Sequence, residues 1–286
     1  SINSQNTRIH RPTRPITCKR MRTKLTTRPS SLQDDGTLNL HVPHSWSELT
    51  QDQLRYVLIL LTQGWEEWHV RTYLFARLAG IRVLNEKKDG WLCETKTEKG
   101  GKMRFFLELW QVQSFCEAFD FVFEDTGAEN RLDSIGLYKA ADLELYDYPF
   151  EYYICADNYF QQYLQSDKTS DEPLKELARY LYLDNEGNQA AHIKCSTYEL
   201  MGVFLWFMWI KHNFSTKFPH LFKPAAEGGE GENDMEASMN AQIRALTGGD
   251  ITKEETIRKA NVWRALTELD AKAREAEELN KRLKKS

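Results

Sequence analysis

The feature that most constrains this chain is its C-terminal end. After an acidic, glycine-rich break, PAAEGGEGENDMEAS, Thr252 opens the run KEETIRKANVWRALTELDAKAREAEELNKRLKKS. Thr252 and Glu255 have the spacing of a capping box, in which hydroxyl and carboxylate satisfy each other's backbone donors. The spacing predicts one continuous helix of about 31 residues, roughly 46 Å long. Acids precede bases by four at Glu268–Lys272, Asp270–Arg274, Glu277–Lys281 and Glu278–Arg282. Each such pair supports a helix by about 0.2–0.5 kcal/mol without any core. The apolar seam is thin: Val262, Leu266, Leu269, Ala273, Ala276 and Leu283, interrupted by Asn280. Barely three heptads with alanine at two positions make a poor self-sufficient coiled coil. The rod is therefore expected to dock on a foreign protein surface or to self-associate, with Val262, Leu266, Leu269 and Leu283 as partner-binding residues. The competing reading folds it back on the body.

The linker preceding it carries Glu227, Glu230, Glu232, Asp234 and Glu236 among three glycines. Such a segment repels itself and cannot bury enough apolar surface to fold. A short helix, Met239 to Leu246, is expected beyond it.

Charge is also uneven at the other end. Residues 1–30 hold Arg8, Arg11, Arg14, Lys19, Arg20, Arg22, Lys24 and Arg28 and no acid, so a chain of net charge −4 carries −12 elsewhere. Clustered cations displace phosphate counterions, and this gives the second functional reading, a nucleic-acid-associated regulator using the basic head. Three prolines and few apolar residues argue instead for a disordered segment. Met21 is the first methionine, so residues 1–20 read as an upstream extension. No apolar core follows the charges, which excludes a signal peptide. The most apolar stretch, Leu200 to Ile210, is far short of the roughly 20 residues a membrane span needs. It reads as a buried helix in a protein with no membrane association. Cys18, Cys93, Cys116, Cys155 and Cys195 are scattered, as expected of reduced cytosolic thiols.

Between these ends the pattern is helical with one interruption. TLNLHV (37–42) alternates like a strand. Thr50 and Gln53 form a capping box ahead of the stripe Leu54, Val57, Leu58 and Leu61. Trp68, Thr72, Phe75 and Leu78 are spaced for one face of a second helix, about 65–79. IRVL, WLCETKT and KMRFFLE, separated by Asp89-Gly90 and Gly100-Gly101, predict a three-stranded meander over 81–108. Residues 109–124 read as helix and 125–147 as loop. Helices are expected after Pro149, around Pro173, and over 197–213.

Chemistry is thinly signalled. Asp125-Thr126-Gly127 echoes aspartic proteases, where a turn exposes one carboxylate to its twin. A single copy would need a β-rich homodimer, so a helix-terminating turn is the plainer reading. His192 and Cys195 could ligate a metal, but no second ligand pair has matching spacing. DNEGN has calcium-like acid spacing without the twelve-residue loop. EGGEGEN lacks the lysine and preceding strand of a phosphate loop. Phe204, Trp206, Phe207, Trp209 and Phe214 could line a ligand pocket, though aromatics at helical spacing are usually core. No cofactor and no metal are expected.

PHSWSELTQDQLRYVLILL, FEYYICADNYFQQYL with LKELARYLY, and MNAQIRALTGGDITKEE with VWRALTELDAKAREAEELN together span most of residues 38–280. They resemble small proteins encoded among the tail genes of bacterial prophages. The resemblance supplies no catalytic residue. It implies a non-enzymatic, chaperone-like role in phage tail or virion assembly, in the bacterial host cytosol or with the virion. Tail-assembly chaperones hold long apolar helices of a client until it polymerises.

The sequence thus predicts a mostly α fold with a small antiparallel β meander and a long C-terminal helix. Its parts are a disordered basic segment (1–36), an α-rich globular domain (37–222), an acidic linker (223–237) and a helical arm (238–286).

Overall fold

The computed structural model describes residues 31–32, 38–97, 100–222 and 235–284. The fold is mixed α and β, mostly helical, with an antiparallel meander and a long C-terminal helix. The basic residues 1–30 and most of the acidic linker (223–234) lie outside the described residues. Inside the segment expected to be unstructured, β1 (Ser31–Leu32) pairs antiparallel with β2 (Leu38–Asn39).

Helix α1 (Gln51–Leu61) starts as its sequence dictates: the Thr50 N–H donates to Gln53 Oε1 at 2.9 Å, and the Gln53 N–H to Thr50 Oγ1 at 3.4 Å. It buries Leu54, Val57 and Leu58. Helix α2 (Glu67–Leu78) buries Val70, Leu74, Phe75 and Leu78 but leaves Trp68 56% exposed, so the expected face is rotated at its first turn. The meander forms in the expected order from β3 (Ile81–Glu86), β4 (Gly90–Lys96) and β5 (Lys102–Glu108). Gly90 is required there, because a Cβ would stand 2.0 Å from the Leu107 carbonyl oxygen.

Helix α3 (Leu109–Glu117) stops well before residue 124. Phe119 and Val122 turn into the core, and a 3-10 turn over Asp120–Phe123 follows. The Trp46 indole N–H takes the freed Phe121 carbonyl at 3.1 Å. The region expected as loop holds β6 (Ser134–Ile135) and β7 (Tyr138–Ala140). These join the later β8 (Tyr182–Leu183) in a second small antiparallel sheet, β6-β7-β8. Strands of two or three residues carry too little periodicity to be read.

Helix α4 (Phe150–Gln165) and α5 (Glu172–Leu181, with Pro173 in its first turn) pack together ahead of α6 (Thr197–Lys217). Ser196 and Glu199 cap α6 reciprocally. This helix is apolar all round because it lies between two buried clusters. Leu205 joins the cluster built from α1, α2, the meander and α3. Leu200, Val203, Trp206, Phe207, Ile210 and Phe214 join the one built from α4, α5 and the second sheet. Phe204 and Met208 touch both clusters.

Helix α7 (Met235–Thr247) begins inside the expected linker. The expected continuous rod is broken. After a 3-10 turn (Ile251–Lys253) and the short α8 (Glu254–Arg258), Asn261 interrupts the helix and caps α9 (Val262–Leu283). Its side-chain oxygen accepts from the N–H groups of Trp263 and Arg264 at 2.9 and 3.3 Å. The Thr252–Glu255 box is replaced by Asp250, which accepts from the Thr252 N–H and hydroxyl. At 22 residues, α9 is about 33 Å long.

Candidate interaction surfaces

The predicted partner-binding residues are mostly core. Val262 is fully buried, and Leu266 and Leu269 are 1% and 5% exposed, within the same cluster as α4 and α6. Val262, Leu266 and Leu269 thus face the protein's own interior and not a foreign interface, and the first half of α9 packs on the body. The physical reason is a seam supplied by the body. The Val262 N–H donates to the Tyr148 carbonyl at 2.9 Å, and the Phe150 N–H to the Ala260 carbonyl at 2.8 Å. The Asn261 side-chain amide donates to the Tyr146 carbonyl. The Trp263 ring stacks on Tyr146 and meets Phe214 and Phe218 edge-on. Asp270 then accepts from the backbone N–H groups of His220 and Leu221, which tethers the chain just past α6 to mid-α9.

Leu283 is the exception, at 65% exposed, with Leu279 at 58% one turn before it. His220 Nδ1 reaches Glu277 Oε1 at 3.4 Å. Helix α9 therefore has a buried root and an exposed tip, with Ala276, Leu279 and Leu283 along one side. Sequence reasoning passed over Leu279 because it lies off the heptad seam.

The chemical candidates resolve into structure. Asp125 is exposed, and the Asp-Thr-Gly turn serves close packing. Gly127 has φ +83°, and a Cβ there would stand 2.4 Å from the Trp209 nitrogen and 2.5 Å from the Leu205 oxygen of α6. His192 is exposed, while burial pushes the Cys195 thiol up to about 12, which disfavours the thiolate that metals require. Asp184 in DNEGN accepts from the N–H groups of Asn188 and Glu186, the first holding its carboxyl below the ordinary range. Among the described residues no group of three or more His, Cys, Asp or Glu could hold a metal ion. Trp206, Phe207 and Phe214 are buried and Phe204 and Trp209 half-buried, as core. No described helix is long and apolar enough to cross a membrane.

Sequence reasoning also missed two exposed aromatic groups. On α2, Trp68 is 56% and Tyr73 50% exposed, with the Trp65 and Tyr73 rings 5.0 Å apart. On the meander Phe106 is 39% exposed, and just beyond it, in the first turn of α3, Trp110 is 64% exposed. The signal for Phe106 was present, since Lys102, Arg104 and Phe106 alternate along β5 and so share one face. Comparisons with protein-family models, curated proteins and solved structures find no match to this chain.

Proposed function

We propose that this protein is a non-enzymatic binding or assembly protein of prophage tail origin, acting through the exposed end of its C-terminal helix. The observation that carries this is the division of α9. Its root is locked in the core through Val262, Leu266 and Leu269, while Leu279 and Leu283, one turn apart on the same helix, are 58% and 65% exposed. A rigid, partly apolar helix end loses little entropy on binding and suits an apolar groove in a partner protein, as in helix-in-groove recognition. The prophage reading rests on the sequence resemblance, as does action in the bacterial host cytosol or with the virion.

The test is co-expression with the proteins encoded beside it, using the intact chain and the double variant Leu279→Ser, Leu283→Ser. The expected result is a complex lost in the variant while thermal unfolding is unchanged. A complex of equal stability in both chains sinks the tip as the contact. Light scattering on the isolated protein separates self-association from capture of a different chain.

A further inference from the structure

We infer that the outer face of the meander is a binding platform for single-stranded nucleic acid. The inner face packs Ile81, Trp91, Cys93 and Leu107 into the core, against α2 and α3. Strand alternation sends the intervening residues outward. The register sets them in rows: Lys96 beside Lys102; Arg82, Glu94 and Arg104; then Asn85, Leu92 and Phe106.

Cations dominate this face. Lys102 and Arg104 side chains are 64% and 71% exposed, and Arg82, Lys87 and Lys96 are exposed as well. The acid in the middle, Glu94, is 12% exposed and lies 3.2 Å from Lys102 and 3.5 Å from Arg104, so it anchors them more than it offsets the row. Acids gather at the turn end, where Glu86, Asp89 and Glu108 are exposed and the Trp110 indole N–H bonds Glu108. In a chain of net charge −4, this is a local reversal of sign.

One exposed ring adjoins the cations and a second lies at the acidic end. Phe106 sits next to Arg104 on the face, with Lys87 Nζ 5.8 Å from its ring centre, while Trp110, in the first turn of α3, bonds Glu108 through its indole N–H. A phosphate chain tracked by lysine and arginine, with bases stacked on exposed rings, is how proteins hold single strands without reading sequence. An acidic peptide would satisfy the cations and leave the rings without a role. The face is distinct from the basic residues 1–30 and from the α9 tip.

The test uses the full chain and a fluorescent oligothymidine, read by anisotropy across a salt series. Engagement of Arg82, Lys96, Lys102 and Arg104 gives a log–log salt slope of about −3. Replacing Lys102 and Arg104 together by Gln removes about 1.4 from that slope. Phe106→Ala weakens binding about 5-fold or more. Because Glu94 loses both partners in the first variant, Trp110→Ala, at a ring that is 64% exposed, serves as a second and is expected to weaken binding by a similar factor. Replacing Arg8, Arg11 and Arg14 by Gln leaves the aromatic dependence intact. Three outcomes overturn the proposal: affinity unchanged by Phe106→Ala and Trp110→Ala, tighter binding of duplex than of single strand, or polyglutamate competing as well as the oligonucleotide. An oligouridine arm distinguishes RNA from DNA as the preferred strand.

Discussion

The indole N–H of Trp263 donates to the backbone carbonyl of Glu144 at 2.8 Å, across 119 residues of chain. The same ring stacks on Tyr146 at 4.9 Å between centres and meets Phe214 at 5.3 Å. The C-terminal helix is thus hooked to the body at its first turn and unfolds with it. Trp263 is half-buried, so Trp263→Ala is expected to cost about 3 kcal/mol, the low end of the range for large aromatic truncations in a core. Urea unfolding followed by tryptophan fluorescence and by circular dichroism should give coincident transitions at a lower midpoint. Separate transitions would show the hook to be dispensable.

Root and tip of α9 should respond oppositely to the same change. Leu266→Ala empties a buried site and is expected to cost about 2–5 kcal/mol. Leu283→Ala, at an exposed position, is expected to stay within about 0.5 kcal/mol of the parent. Denaturant midpoints of the two variants decide this, and equal losses would contradict the division of the helix.

Asp270 should hold the rod against the chain after α6. Its Oδ1 accepts from the His220 N–H at 2.8 Å and the Leu221 N–H at 2.9 Å. Asp270→Ala strands both donors, at a cost of about 1–3 kcal/mol. Amide exchange at His220 and Leu221 should accelerate, together with exchange along the second half of α9. Unchanged exchange there would mean the rod is held by Val262, Leu266 and Leu269 alone.

Alkaline pH should destabilise the fold. Burial pushes the Cys93 thiol from 9.0 up to about 11 and Cys195 up to about 12, and it raises the Tyr148, Tyr153 and Tyr182 phenols. Each raised group stays protonated in the folded chain at a pH where the unfolded chain has lost its proton. Stability from these groups is therefore complete below about pH 9 and falls as pH rises through about 11. Urea midpoints between pH 8 and 11 should decline steadily, and Cys93→Ala should flatten the first part of that decline. A constant midpoint would show these groups to be solvated.

What could be read from the sequence was whatever is local. The Thr50–Gln53 cap, the meander and the apolar α6 depend on neighbours within a few residues, and they form where their spacing places them. What could not be read depends on partners far away in sequence. Asn261 breaks a helix that its local charges favour, because its own side chain and the strand-like bridge to Pro149 offer the backbone another set of bonds. The thin seam of α9 looked too weak to fill a core because Tyr148, Phe214 and Phe218, which complete it, belong to other elements. Trp68 followed the helical period and still faces solvent, since nothing packs over the first turn of α2 closely enough to cover it.

Gly127 tests the Asp-Thr-Gly turn directly. Two features forbid a side chain there: a left-handed backbone at φ +83°, and backbone atoms of Leu205 and Trp209 within 2.5 Å of any added Cβ. The Ala128 N–H also donates to the Leu205 carbonyl at 2.9 Å, so the turn cannot back away without losing a bond to α6. Gly127→Ala therefore combines strain with a forced separation at the helix shared by both clusters, and a loss of about 3 kcal/mol or more is expected. Asp125→Asn, two residues earlier and exposed, should leave the melting temperature within about 1–2 °C of the parent, as surface changes do. If Asp125→Asn proved the damaging change and Gly127→Ala the silent one, the turn would owe its sequence to the carboxylate and not to the close approach of α6.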